Sequence, residues 1–492
     1  MRYLIKNGSI IDPAQRVATV GNVLVENGCV ARVIDHAELG GDLEIPADTE
    51  IINARGAVIA PGFLDLSTHL RQPGHEHLET LVTAARAAAV GGFTTICAAP
   101  DTTPAPDTAA VVRDLRALAH DASLTRVEVV GALTRGRAGQ SLNDLAELAA
   151  AGCVAFGDAD RSLHPVLLRS ALQYAAMLGL PIFAHCEDAA LSAGWAMHEG
   201  AVSTRLGLPG YAAAAEEILI ARDIALAEMT SAHLHIRHVS TAGGVALIRA
   251  ARQRGAQITA DVTAYHLTLT ERWVLGARND IEQPTAARTR RSRRNQPRVE
   301  AGLGLPSWLD PRLLPPYHTA TRVNPPLRGD DDCEALIEGL RDGTIDAITT
   351  DHAPLGEVEK GCEYRLALPG ISSLETTLGL ALTLVHRGKL DLVDLVAKLT
   401  EGPAGVLGRT PATLRAGSRA DIVVFDTDSP WIVDPTTFES LGRNTPLIGQ
   451  RLKGRVMLTM IGGEVVFRRG SFGTGTGPLQ QASRLEGILG PV

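Results

Sequence analysis

From Ala57 onward the chain repeats one unit: a short apolar run rich in β-formers, a polar cluster, then an Ala- and Leu-rich stretch with helical spacing. Eight such runs end near His69, Asp101, Gly131, Asp158, His185, His238, Thr263 and Asp351. Helical patterns over residues 78–90, 106–120, 165–178, 213–229 and 242–254 separate them. Eight β-then-α units predict an α/β fold, a (β/α)8 TIM-like barrel with the polar clusters on its C-terminal rim. The pattern before residue 56 is different. Alternating runs at 3–5, 22–26, 30–34 and 50–52, broken by Asn7-Gly8 and Asn27-Gly28, read as a small β unit. Strand chemistry returns at 422–426 and 456–467. The expected organisation is therefore a discontinuous β-sandwich domain from 1–55 and 412–470 around a barrel of 56–411. Residues 277–316 interrupt the barrel with several prolines and an Arg-rich run at 288–294, the composition of a flexible insertion. That insertion is either without chemistry or a docking arm for an acidic partner. The Gly-rich tail, 471–492, is expected to hold a short helix at most.

Length and composition agree with this plan. At 492 residues the chain exceeds one ordinary domain, but a barrel with an accessory domain absorbs it. Hydrophobic residues make up 45% and aromatics only 4%, which suits α/β packing better than an aromatic binding surface. A net charge of -8 argues against a general nucleic-acid binder. The six cysteines form no CxxC pair, so neither a disulfide framework nor a cysteine zinc site is indicated. No signal-peptide core and no apolar segment of membrane-spanning length is present, so a soluble protein of the reducing cytoplasm is expected.

The chemistry concentrates at the end of the first barrel run. With a side-chain period of two, Asp65, Ser67, His69 and Arg71 are expected on one strand face. A His-x-His-x-Arg pattern there would place two imidazoles on a metal and a guanidinium on a substrate carboxylate, but Ser67 stands where the first imidazole would be. Metal-ligand residue types occupy five separate strand ends: His69, Asp158, His185, His238 and Asp351. One such residue alone is more often a hydrogen-bonded polar group. Five on one rim, where this fold gathers ligands from different strands, point to a metal site. A hydrolytic site needs a cation to acidify water and a carboxylate to carry its proton, and Asp351 suits the second role. Gly91-Gly92 and Gly370 read as turn and close-packing glycines. His266 reads as structural, and His75 or His77 lies in the loop that could supply the missing imidazole.

Ordered motifs along nearly the whole chain carry a resemblance. They include Ile5-Lys6-Asn7-Gly8, Pro61-Gly62-Phe63-Leu64-Asp65, His69-Leu70-Arg71-Gln72-Pro73-Gly74, His185-Cys186-Glu187-Asp188, Asn324-Pro325-Pro326-Leu327-Arg328, Asp351-His352-Ala353-Pro354 and Asn444-Thr445-Pro446. Together they resemble a dihydroorotase of the long, barrel-type class in the amidohydrolase superfamily. The resemblance implies a Zn2+-dependent cyclic amidohydrolase of pyrimidine biosynthesis, interconverting dihydroorotate and N-carbamoyl-aspartate, and a homo-oligomer. It implies His69, Asp158, His185, His238 and Asp351 as metal ligands, with Asp351 also the catalytic acid and base. Arg71, Asp101, Asn324 and Leu355 match substrate-contact positions. Three positions depart from the pattern. Ser67 is a poorer zinc ligand than the histidine it replaces. Asp101 stands where the family has an asparagine on the substrate carboxylate, and like charges about 4 Å apart repel by roughly 4 kcal/mol near a surface. Leu355 replaces a substrate-binding histidine and can make no side-chain hydrogen bond. Tyr265 also replaces the histidine usual in its segment. Three readings stay open: a weakly active or silent homologue that assembles with aspartate carbamoyltransferase, a zinc hydrolase acting on another cyclic amide such as a hydantoin or imide, and a dihydroorotase working with one metal.

Overall fold

The computed structural model describes residues 1–35, Pro46, 48–122, 125–281 and 306–470. Eight parallel strands form the barrel: β1 (Phe63–Thr68), β2 (Phe93–Ala98), β3 (Arg126–Ala132), β4 (Cys153–Gly157), β5 (Ile182–Ala184), β6 (Leu234–Ile236), β7 (Ile258–Thr263) and β8 (Ala347–Thr349). They pair in chain order from β1 to β8. Every residue of β2 and of β4 is buried, as expected of parallel strands covered on both faces. Helices Leu81–Gly91, Ala109–Ala122, Leu145–Ala151, Pro165–Leu178, Ala213–Thr230, Ala242–Gln253 and Asp330–Arg341 pack around them. The helix after β1 starts at a capping box between Thr80 and Thr83 and stops at Gly92, whose φ is 86°. A Cβ at Gly92 would also press on Phe63 and Val423, so that glycine serves both the turn and the close packing.

The ring closes between β1 and β8. Thr68 bridges to His352, and His69 N–H donates to the His352 carbonyl at 2.8 Å. Beneath that bridge lies Asp65, fully buried. Its carboxylate accepts from Thr68 Oγ1, Thr349 Oγ1, Thr350 N–H and Thr350 Oγ1. Burial pushes its carboxyl up, against those four hydrogen bonds.

A second sheet is built from both ends of the chain. Its path runs Glu464–Arg468, Arg451–Ile461, Ile422–Ile432, Val58–Pro61, Arg2–Asp12, Val17–Glu26, Cys29–Asp35, and Thr49–Asn53 also pairs with Arg2–Asp12. The sheet encloses its own apolar core, including Ile5, Ile10, Val23, Ile59, Val424 and Leu458. Val58–Pro61 is the strand on which the early and late segments meet. Phe63, the first residue of β1, packs edge-on against Phe93 of the barrel at 5.7 Å and at a tilt against Phe425 of this sheet at 5.9 Å.

The flanks of the Arg-rich stretch differ from expectation. Residues 282–305, with the run at 288–294, lie outside the described residues, as does the tail from 471. Residues 306–316 were expected to be flexible, yet Leu309 and Leu314 are buried, Ala277 N–H bonds the Leu314 carbonyl and Lys453 sits over the Trp308 ring. Composition marked the segment as open, but its few large apolar residues suffice to anchor it. All six cysteines are free of disulfides. Among the described residues no helix is long and apolar enough to cross a membrane.

Replacing Asp65 with Ala removes the acceptor for four buried donors at the barrel seam. The expected cost is about 3 kcal/mol or more, read as a lower urea midpoint, with Asp65→Asn falling between the two.

Candidate active site

A cavity of about 420 Å³ opens at the C-terminal rim of the barrel, and His69, Arg71, Asp101, His185, His238 and Asp351 line it. β1 ends at Thr68, one residue before the first of these. Arg71 therefore does not share the extended strand face expected of it. It takes a left-handed conformation, φ 60°, and reaches the cavity from a turn. There its Nε donates to the Pro354 carbonyl at 3.2 Å and its Nη1 to Asp101 Oδ2 at 2.9 Å. The same Asp101 oxygen lies 2.6 Å from His69 Nδ1. Burial opposes charge on both partners but loses to their attraction. His69 is pushed up to about 9, and Asp101 is held well below the usual carboxylate range by His69 and Arg71. Asp101 thus neutralises the guanidinium beside it instead of presenting a bare charge to the cavity.

Asp351 sits at the centre, in a left-handed backbone conformation with φ 46°. Tyr265 donates to its Oδ2 at 2.7 Å and Ser67 to its Oδ1 at 3.3 Å. His69 Nε2 and His238 Nε2 approach the same Oδ1 at 3.5 and 3.2 Å. Burial would raise its carboxyl, yet His238, His69 and Arg237 hold it well below the usual range. The His238 ring is within ion-pair distance of Asp261 and Asp351, although neither ring nitrogen is aligned for a hydrogen bond. Its backbone is fixed, because His238 N–H donates to Asp261 Oδ1 at 2.7 Å.

Arg237 is the residue that reading the rim as a set of metal-ligand types missed. Its guanidinium is buried inside the barrel, with Nη2 donating to Ser67 Oγ at 2.6 Å and Nη1 to the Ala159 carbonyl at 3.1 Å. The available signal was its parity. One residue past the end of β6 it keeps the parity of His235, a wholly buried residue paired with Asp261 at 3.0 Å, and so falls on the inward side.

The remaining candidates are turned to protein partners. Both Asp158 oxygens accept from Thr134, through its N–H at 3.1 Å and through its hydroxyl, and burial pushes the Asp158 carboxyl up. His185 Nε2 lies 2.9 Å from Glu187 Oε2, which Asn324 Nδ2 also reaches at 2.9 Å. Against the cost of burial, this contact with His185 lowers Glu187 to about 2. Leu355 presents its side chain to the cavity wall and its N–H to Asn444. His266 is buried, bridging Thr263 and the Pro325 carbonyl, as a structural residue would be. His75 and His77 stand at the mouth, where His75 pairs with Thr103 and His77 is exposed, and the partners of Ser67 are Arg237 and Asp351.

These positions do not fit a metal centre. Among the described residues, no group of three or more His, Cys, Asp or Glu side chains is arranged to hold an ion.

A dihydro-orotase-like family model matches residues 56–243. A protein named dihydroorotase from Syntrophus aciditrophicus (strain SB) is 40% identical over 469 residues, covering 95% of this chain and 100% of the relative. Another of that name, from Anaeromyxobacter dehalogenans (strain 2CP-C), is 43% identical over 467 residues, covering 95% and 98%. Among solved structures, an L-hydantoinase (dihydropyrimidinase) from Arthrobacter aurescens superposes with a TM-score of 0.76 at 23% identity, covering 95% of this chain and 96% of that one. A dihydropyrimidinase from Brevibacillus agri gives 0.75 at 21%, covering 96% of each. The two structures share the barrel fold.

The His69–Asp101 pair makes a signed pH prediction. Because His69 is raised to about 9, its contribution to stability is full below its unfolded value near 6.5 and is lost as pH rises through about 9. Asp101, being depressed, contributes at all higher pH and loses its part only in acid. Wild-type Tm should fall between about pH 6.5 and 9.5 relative to that of Asp101→Asn, measured by thermal denaturation of both across that range.

Proposed function

The chain belongs to the dihydroorotase-like family, and from that membership we propose that it is a homologue of pyrimidine biosynthesis whose barrel has lost hydrolysis of dihydroorotate and is kept as a partner of aspartate carbamoyltransferase. The observation that supports this most directly is how two residues expected on zinc are spent, Asp158 on Thr134 and His185 on Glu187, while Ser67, in place of a ligand histidine, binds Arg237. Ring opening requires an activated water, an anchor for the substrate carboxylate and a base matched to the working pH. Zinc would supply the first in a member with the full ligand set, and the donors here do not fit it. The second is compromised, because Asp101 already holds Arg71 Nη1 and its charge opposes an incoming carboxylate. The third is mismatched, because His238, His69 and Arg237 hold the Asp351 carboxyl well below its ordinary range against the cost of burial, which makes it a weaker base. The barrel and the sheet joining the chain ends are meanwhile intact, which is what an assembly role needs.

One feature favours a second reading, hydrolysis of a neutral cyclic amide such as a hydantoin or imide. Arg71 is already neutralised, and Leu355 adds an apolar wall, so a ring without a carboxylate meets fewer mismatches. Turnover of such a ring, abolished by Asp351→Asn, would establish that reading in place of the first.

Two outcomes are expected. The purified chain, incubated with zinc and dihydroorotate, should show no ring opening above the rate of buffer, followed by loss of dihydroorotate absorbance; steady turnover would sink the proposal. Mixed with aspartate carbamoyltransferase from its own organism, it should co-elute on size-exclusion chromatography as one larger species, and clean separation at micromolar concentrations would remove the assembly role.

A further inference from the structure

We propose that the Arg237 guanidinium is the resident cation of this site, occupying with Ser67 the volume that a metal and an imidazole would need, so that the chain takes no divalent metal there. The proposal deepens the reading just given of the same site and rests on family membership, not on the assembly role. The side chain is buried, and its two donating nitrogens are fixed by Ser67 and the Ala159 carbonyl. From Ser67 the chain of hydrogen bonds continues to Asp351, so guanidinium, hydroxyl and carboxylate form one line across the barrel mouth. Guanidinium keeps its proton in any protein setting, so this cation is permanent.

Ser67 and Arg237 are also matched in shape. A histidine placed at 67 would put Cγ about where the serine Oγ lies and extend its ring beyond. Nη2 is 2.6 Å from that oxygen, so the ring would enter the guanidinium. Serine at 67 therefore leaves room for arginine at 237, and arginine at 237 excludes histidine at 67. The site also holds its own anion, since Asp101 occupies Arg71. Two arginine–acid lines, Arg71 to Asp101 directly and Arg237 to Asp351 through Ser67, thus engage charges that a metal and a substrate carboxylate would otherwise meet.

The test compares wild type, Ser67→His, Arg237→Ala and the double variant, each equilibrated with zinc, desalted and assayed for metal content, with Tm taken with zinc and with chelator. Wild type should retain far less than one zinc per chain and show the same Tm in both conditions. The double variant should retain about one zinc per chain and bind it at least on the order of a hundredfold more tightly, with Tm raised by zinc. Ser67→His alone should resemble wild type, because the guanidinium still blocks the position. Stoichiometric zinc in wild type, removed by chelator with a fall in Tm, overturns the proposal without requiring any variant to fold. Equal zinc uptake by Ser67→His and the double variant overturns the matched pair. Zinc-bearing but inactive wild type would refute the resident cation and leave the silent reading standing, whereas metal-free turnover of dihydroorotate would support the cation and refute the silence.

Discussion

The carboxylate of Asp65 is the constraint on which the rest of the barrel depends. Parallel strands close into a ring only if the first and last hold register, and β8 is just three residues long. Four donors from two neighbouring segments converge on Asp65, so a side chain supplies at this seam what short strands cannot supply through backbone ladders alone. Ser67 and His69 lie just beyond it on one side, Asp351 on the other. Their mutual distances follow from that seam, and the cavity inherits its geometry from a residue that never reaches it.

The cavity itself is settled from within. Polar side chains near its floor contact one another: Asp101 touches Arg71 and His69, Glu187 touches His185, and Asp351 lies against His69 and His238. These contacts hold a polar mouth together on a stable barrel, with Ser67 at the one position of the ligand pattern where a histidine is replaced.

Much of this was legible in the chain. The eight apolar runs ending in polar clusters correspond to the eight strands, because parallel barrel strands are mostly apolar on both faces, Asp65, His235 and Asp261 being buried exceptions, and gather polar residues at the rim. Helix limits agree to within about three residues for the same reason, since caps such as Thr80 and Gly92 are local chemistry. What failed was extrapolation beyond a strand end. The two-residue period was carried through to Arg71, but the strand stops at Thr68 and a left-handed turn re-aims the guanidinium. Arg237 was hidden differently. It is not a metal-ligand type and carries no local signal of its own, and its meaning lies in Ser67, 170 positions away. Tyr265 is similar, since its partner Asp351 lies on another strand's end. Pairings between distant strand ends are tertiary facts, and local pattern carries them only as parity.

The sheet shared by the two ends of the chain has a consequence for biosynthesis. Strand Val58–Pro61 pairs on one side with Arg2–Asp12 and on the other with Ile422–Ile432. At translation rates of about 5–20 residues per second, the late strand reaches its place roughly 20 to 70 s after the early one leaves the ribosome. Throughout that interval an unpaired apolar edge is open to any passing strand, and Phe63 lacks Phe425 on one of its faces. Until the final strands are made, this edge stays exposed to non-native pairing.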